Sequence, residues 1–155
     1  MLKSSKKVVI KLVTILDVAK YILNAKGEMS TWKLQKLCYY CQAWHYTWTE
    51  KRLIEEEFEA WRNGPVCPEL FAVHKGKFMV SAEDVSGNEK ALDADEKDSV
   101  DVVLKDYGDM EPYEISCLTH AEDPWKNARG NLPADAPCKK VIKIEEMGDY
   151  YGSLV

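Results

Sequence analysis

The residues best able to do chemistry lie in one short stretch, KLQKLCYYCQAWH, from Lys33 to His45. Cys38, Cys41 and His45 could supply three zinc ligands, with Cys67 as a fourth. A structural zinc site needs four ligands, and a catalytic one needs three plus water. Positions i, i+3 and i+7 share one face of a helix, so the spacing permits a metal. The setting argues otherwise. Ligating CxxC pairs usually sit on a knuckle or turn, and a redox CxxC sits at a helix start after a strand, whereas this pair lies mid-helix. A free cysteine also packs as a small apolar residue. The leading reading is a buried helix face. A zinc or thiol enzyme built on Cys38, Cys41 and His45, with Cys67 or His120 assisting, stands as the remote alternative.

Other candidates are weaker. His74, between Val73 and Lys75 late in a helix, reads as a surface residue. His120 follows Thr119 at a helix end, where the dipole favours an imidazole, and only Cys117 and carboxylates lie near it in sequence. Glu122 and Asp123 read as helix-start residues. Trp61-Arg62-Asn63-Gly64-Pro65 places an aromatic and an arginine beside a rigid turn, and both residue types are enriched at interaction hot spots. No P-loop, GxGxxG, HExxH or serine elbow occurs.

These residues must be positioned by helices. Apolar residues at helical spacing fall in TILDVAKYILNAKG, with Gly27 just past the end. Ser30 or Thr31 can cap the next helix, WKLQKLCYYCQAWHYTW, whose stripe is Leu34, Leu37, Cys38, Cys41 and Trp44. With Tyr40 and Trp48 beside that stripe, the helix is apolar over much of its circumference and belongs at the centre of a bundle. RLIEEEFEAW reads as extended, RNGP as a turn, and Pro68 as the first turn of a helix ending near Gly76. Residues 76–92 are polar and read as a loop or irregular hairpin. A helix follows through Val100, Val103, Leu104 and Tyr107. Asp109 can cap the next, with Pro112 in its first turn and Ile115, Leu118 and Cys117 facing inward. Pro124 opens a further short helix, a Pro/Ala linker follows, and KKVIKIEEMGDYY closes the chain as an amphipathic segment with Val141, Ile144 and Met147 inward. The expectation is a mainly α, single compact multi-helix domain with a central buried helix and a short extended segment or hairpin.

At 155 residues the chain suits one domain. The net charge of −5 and pI near 5.3 argue against a general nucleic-acid binder. Lys3, Lys6, Lys7 and Lys11 make the start basic. Between Glu83 and Glu111 eleven acids face three lysines, which reads as a solvated face. Lys11 and Asp17 interrupt the first apolar run, so it reads neither as a signal peptide nor as a membrane span. Five cysteines without a secretory signal point to reduced thiols and the cytoplasm.

Taken in order, WKLQKLCYYCQAWHYTW, FEAWRNGPVCPELF, VLKDYG and LTHAEDPWKNAR, with a closing YY, resemble the Panacea domain of phage-associated GepA-like and SocA-like proteins. The likeness runs from Thr14 to Tyr151, dividing the chain into a basic extension (1–13), the domain (14–151) and a short tail (152–155). It implies a helical domain without established enzymatic activity or cofactor. Such domains, common in prophages, act as antitoxins that bind a toxin encoded by the adjacent gene, and some deliver it to a protease. Members commonly carry apolar residues or alanine where this chain has Cys38 and Cys41, which favours the packing reading. The family's core helix falls on Lys33 to Trp44. Its turn falls on Gly64, Pro65, Val66, Pro68 and Glu69, and its TH---PW element on Thr119, His120, Pro124 and Trp125. An interface needs aromatic and cationic anchors, so partner contacts are expected at Trp61, Arg62, Asn63, Trp125 and the exposed Lys33 and Lys36, with Thr119 and His120 of the matched element beside them. The resemblance implies scaffold roles for Gln35, Gly64, Pro65, Pro68 and Glu69.

Overall fold

The computed structural model describes residues 12–155. Lys3, Lys6, Lys7 and Lys11 of the basic extension lie outside the described residues. The described chain runs α1 (Ile15–Lys26), β1 (Met29–Ser30), α2 (Thr31–Thr49), β2 (Glu59–Trp61), β3 (Gly64–Val66), α3 (Pro68–His74), β4 (Met79–Val80), α4 (Ala94–Tyr107), α5 (Pro112–Ala121), α6 (Asp123–Arg129) and α7 (Ile144–Gly152). It is a mainly helical single domain with only small antiparallel sheets.

Local chemistry sets most boundaries. Thr14 and Asp17 form a capping box at the start of α1, and the Ser30 hydroxyl accepts from the Lys33 amide at the start of α2. Proline opens α3 and α5, where the missing N–H has no helical partner to lose. Trp61 pairs with Gly64 to close the β2–β3 hairpin, and β1 pairs with β4.

α2 is the centre. It packs most extensively on α7 and α4, then on α5, β3 and α1. Leu34, Leu37, Tyr40, Cys41 and Ala43 are all fully buried on it. Burying a large apolar side chain contributes about 1.5–3 kcal/mol, so this helix carries much of the fold's stability. Two buried glutamines seven residues apart tie it to loops. Gln35 Oε1 accepts from the Cys67 amide at 2.8 Å, and its Nε2 donates to the Cys67 carbonyl at 3.3 Å. Gln42 Oε1 accepts from the Leu53 and Ile54 amides at 2.9 and 3.2 Å, and its Nε2 donates to the Ile54 carbonyl at 3.0 Å. Each side-chain amide thus acts as a backbone partner for a segment that has no strand beside it.

Several placements differ from the sequence reading. His74 is buried, because Gln35 reaches it; the two Nε2 atoms lie 2.9 Å apart. Gln35 Oε1 is fixed by the Cys67 amide, so its Nε2 donates and His74 Nε2 accepts, which makes that imidazole neutral. Cys117 and Trp48 are exposed, and so is Val141, which instead bridges Glu59 through backbone. Glu111 rather than Asp109 caps α5, and Asp109 pairs with Lys26 at 2.8 Å. Residues 76–92 are not a loose loop. Val80, Val85 and Leu92 are buried, and Asp17 Oδ1 accepts from the Asn88 amide at 2.8 Å.

Candidate functional site

Three parts of the sequence converge at Lys36. The side chain is 2% exposed, not at the surface as the sequence reading had it. Its stem passes over Gly64, where the hairpin turns with φ +117°. A Cβ at Gly64 would stand 2.6 Å from Lys36 Cε and 3.1 Å from both Lys36 Nζ and Thr119 Oγ1. Glycine is therefore required here twice, by backbone conformation and by the close approach.

The TH---PW element braces the same hairpin from behind. Trp125 Nε1 donates to the Trp61 carbonyl at 2.8 Å, and Arg129 Nη1 donates to the Ala60 carbonyl at 2.9 Å. The Ser116 hydroxyl donates to the Asn63 carbonyl at 3.2 Å. The His120 ring centre lies 4.3 Å from that of Trp125, and the Arg129 guanidinium lies 4.8 Å from the centre of the Trp125 ring. His120 Nε2 is buried without a hydrogen-bond partner among the described residues. Burial, then the charges of Lys36 and Arg129, hold His120 below the ordinary imidazole pKa.

Beside the braced hairpin opens a cavity of about 380 Å³. Gln35, Lys36, Trp61, Arg62 and Asn63, all singled out in the sequence, line it. So do His74, read from the sequence as a surface residue, and Trp32, Phe71, Lys77 and Lys139, which were not singled out. Trp61 and Phe71 meet edge to face at 5.1 Å, and the Trp61 indole donates to Glu59 Oε1 at 2.7 Å, so this wall is held in place. The Lys36 ammonium lies 5.7 Å from the centre of the Trp32 ring. Among the described residues no carboxylate lines the cavity. Among the described residues Lys36 makes no hydrogen bond or ion pair, and burial pushes its ammonium down to about 8.

The other sequence candidates lie apart. Lys33 is half-buried; the Lys26 hydrogen bond and charge, with the Lys33 charge adding last, hold the Asp109 carboxyl below the usual range. Thr119 and Trp125 are buried; Trp125 braces the hairpin, whereas the Thr119 hydroxyl donates to the Ser116 carbonyl within α5. Pro65 is buried in β3, Pro68 opens α3, and Glu69 is exposed, accepting from the Cys67 thiol at 3.4 Å. Trp32 was the findable residue, since it stands four before Lys36 on one helix face. Lys139 comes from a distant loop and gives no local signal.

The cysteines form core. Cys38, Cys41 and Cys67 are buried, and burial raises all three thiols, which opposes a nucleophilic thiolate. His45 turns to α4, with Nδ1 2.8 Å from the Ser99 hydroxyl. Among the described residues no group of three or more His, Cys, Asp or Glu side chains is placed to hold a metal ion. Glu122, which reads in sequence as a helix-start residue, is buried and accepts at 2.7 Å from both Tyr40 and Tyr151. No described helix is long and apolar enough to cross a membrane.

Comparison with curated proteins and with solved structures gave no match. The family model described as "Antitoxin SocA-like, Panacea domain" matches residues 34–126, a span that takes in most of α2, the hairpin, Phe71 and the segment from Thr119 to Trp125. That match covers more than half of the chain, and the protein belongs to the SocA-like, Panacea domain family of antitoxins.

Proposed function

We propose that this chain neutralises a cognate toxin, encoded by the adjacent gene, by direct contact, and that the contact is made around the β2–β3 hairpin. The observation that carries this reading is a fixed aromatic and cationic face. Trp61, Arg62 and Asn63 stand on a hairpin tied down by Trp125, Arg129 and Ser116, and they border a cavity walled by Trp32 and Phe71. A rigid aromatic anchor loses little freedom on binding, and an exposed polar rim keeps water from its edge. Neutralisation by contact needs no catalytic group in this chain, which suits the buried, protonated thiols and the hydrogen-bonded His45.

Co-expression with the neighbouring toxin tests it. The wild-type chain should restore growth and co-purify with the toxin. Arg62→Ala with Trp61→Ala should weaken the complex by at least about tenfold, since hot-spot truncations remove about 2 kcal/mol or more. Full rescue by the double variant would move the interface elsewhere.

A further inference from the structure

We propose that the cavity beside the β2–β3 hairpin is a receptor for a carboxylate on an apolar stem, presented by the toxin, with the Lys36 ammonium as its counter-ion.

A buried ammonium is ordinarily paired, because an unpaired charge away from water is costly. Lys36 is 2% exposed and has no anion, yet it lines a cavity that opens beside it. The acids so frequent in this chain are absent from that lining, although the net charge is −5. Arg62, Lys77 and Lys139 stand exposed around the opening. Lys77 is already engaged with Asp84 at 3.5 Å, whereas no ion pair is made by Arg62 or Lys139 among the described residues. The cavity is thus cationic within an acidic protein, and its missing component is negative.

The chemistry of the anion follows from the walls. One buried cation at the depth of the cavity matches one negative charge, which suits a carboxylate. Trp32, Trp61, Phe71 and Val66 offer apolar surface above the ammonium, enough to cover the stem of a glutamate side chain or of a C-terminal residue. The first eleven residues of this chain hold four lysines and no acid side chain, so they cannot supply the anion. The protein source rests on the antitoxin reading; the carboxylate chemistry does not.

The test uses the full chain and 3-phenylpropionate as the probe, with 3-phenylpropionamide and inorganic phosphate beside it. Binding is followed by tryptophan fluorescence and by protection of Lys36 from acetic anhydride, located by mass spectrometry. The acid should bind saturably and protect Lys36. Lys36→Met should bind it at least about tenfold more weakly, and the amide should not compete. The acid should also displace toxin from the wild-type chain, a readout that needs no variant, and Lys36→Met should bind toxin correspondingly worse. Equal binding of acid and amide, or equal binding by Lys36→Met, would reduce the cavity to apolar surface and overturn the proposal. Displacement of the acid by phosphate at lower concentration would overturn the choice of carboxylate. If the acid binds at Lys36 but toxin is neither displaced nor weakened, the toxin is not the source, and the antitoxin reading stands. If the wild-type chain binds no toxin, that reading falls, while the acid titration still decides the chemistry of the cavity.

Discussion

At the residue scale, Lys36 has the largest consequence. Its ammonium is faced by Trp32 from α2, Gly64 from β3 and Thr119 from α5, with His74 and His120 as the titratable neighbours that feel its charge. An unfolded lysine holds its proton to about 10.5, and folded Lys36 releases it near 8. Between those values the unfolded state binds the extra proton, so the stability set by this residue rises with pH across that window. Lys36→Met should therefore be more stable than wild type at pH 7, by on the order of 1–3 kcal/mol, with the gap narrowing by pH 10. Thiols and phenols titrate in both chains and cancel in the difference. Urea unfolding at the two pH values measures it, and a gap independent of pH would mean the ammonium is not desolvated. Gly64→Ala should destabilise by about 1–3 kcal/mol, from the positive φ and the approach to Lys36, read in the same assay. The sequence could not place Lys36 inside. A lysine in a helix that is apolar nearly all round has no local sign of which neighbour covers it, and here the cover comes from residues 64 and 119.

At the element scale, α2 works through its glutamines as much as its apolar stripe. Gln35→Ala would leave the Cys67 amide without a partner, while the Cys67 carbonyl keeps the Phe71 amide, and would expose His74 to rearrangement. A cost of about 2–4 kcal/mol is expected, with loss of amide-exchange protection confined first to α3. An effect under about 0.5 kcal/mol would mean water replaces the side chain without penalty. Cys38→Ala should cost only about 1 kcal/mol and leave toxin binding intact, because the thiol fills space. Much of this layer was legible. Ser30, Pro68, Pro112, Pro124 and Gly130 mark helix limits by chemistry that acts within a few residues. The β1–β4 pair was not, because two-residue strands some 50 positions apart carry no period of their own. The glutamine clasps were equally hidden, since their partners are backbone groups that the sequence leaves anonymous.

At the scale of the whole molecule, three imidazoles are held below their ordinary pKa, chiefly by burial. The charges of Glu96, Asp93 and Asp95 oppose this at His45 and that of Lys51 adds to it, while Lys36 adds at His74, and Lys36 and Arg129 add at His120. As pH falls below about 6.5, an unfolded histidine takes up a proton that the folded chain resists, so stability is lost. Buried Glu122, whose carboxyl pKa is raised by burial, works in the opposite sense above 4.5. The Tm should fall measurably between pH 7 and 5.5, and a flat profile would show the histidines to be solvated. The family was legible from words kept in order along the chain, and those words prove to be neighbours in space. The core helix, the glycine turn and the Thr119–Trp125 element meet around Lys36 and the hairpin. What the words could not give is the cavity, because its far rim, Lys77 and Lys139, comes from segments that share no word with it.

The most direct test of the account is co-expression and pull-down with the product of the adjacent gene, the proposed toxin, comparing wild type with the Trp61→Ala, Arg62→Ala double variant at matched folded concentration. The account predicts rescue and a stable complex for wild type, and loss of both for the variant. A wild-type chain that neither rescues growth nor captures the toxin would contradict neutralisation by direct contact.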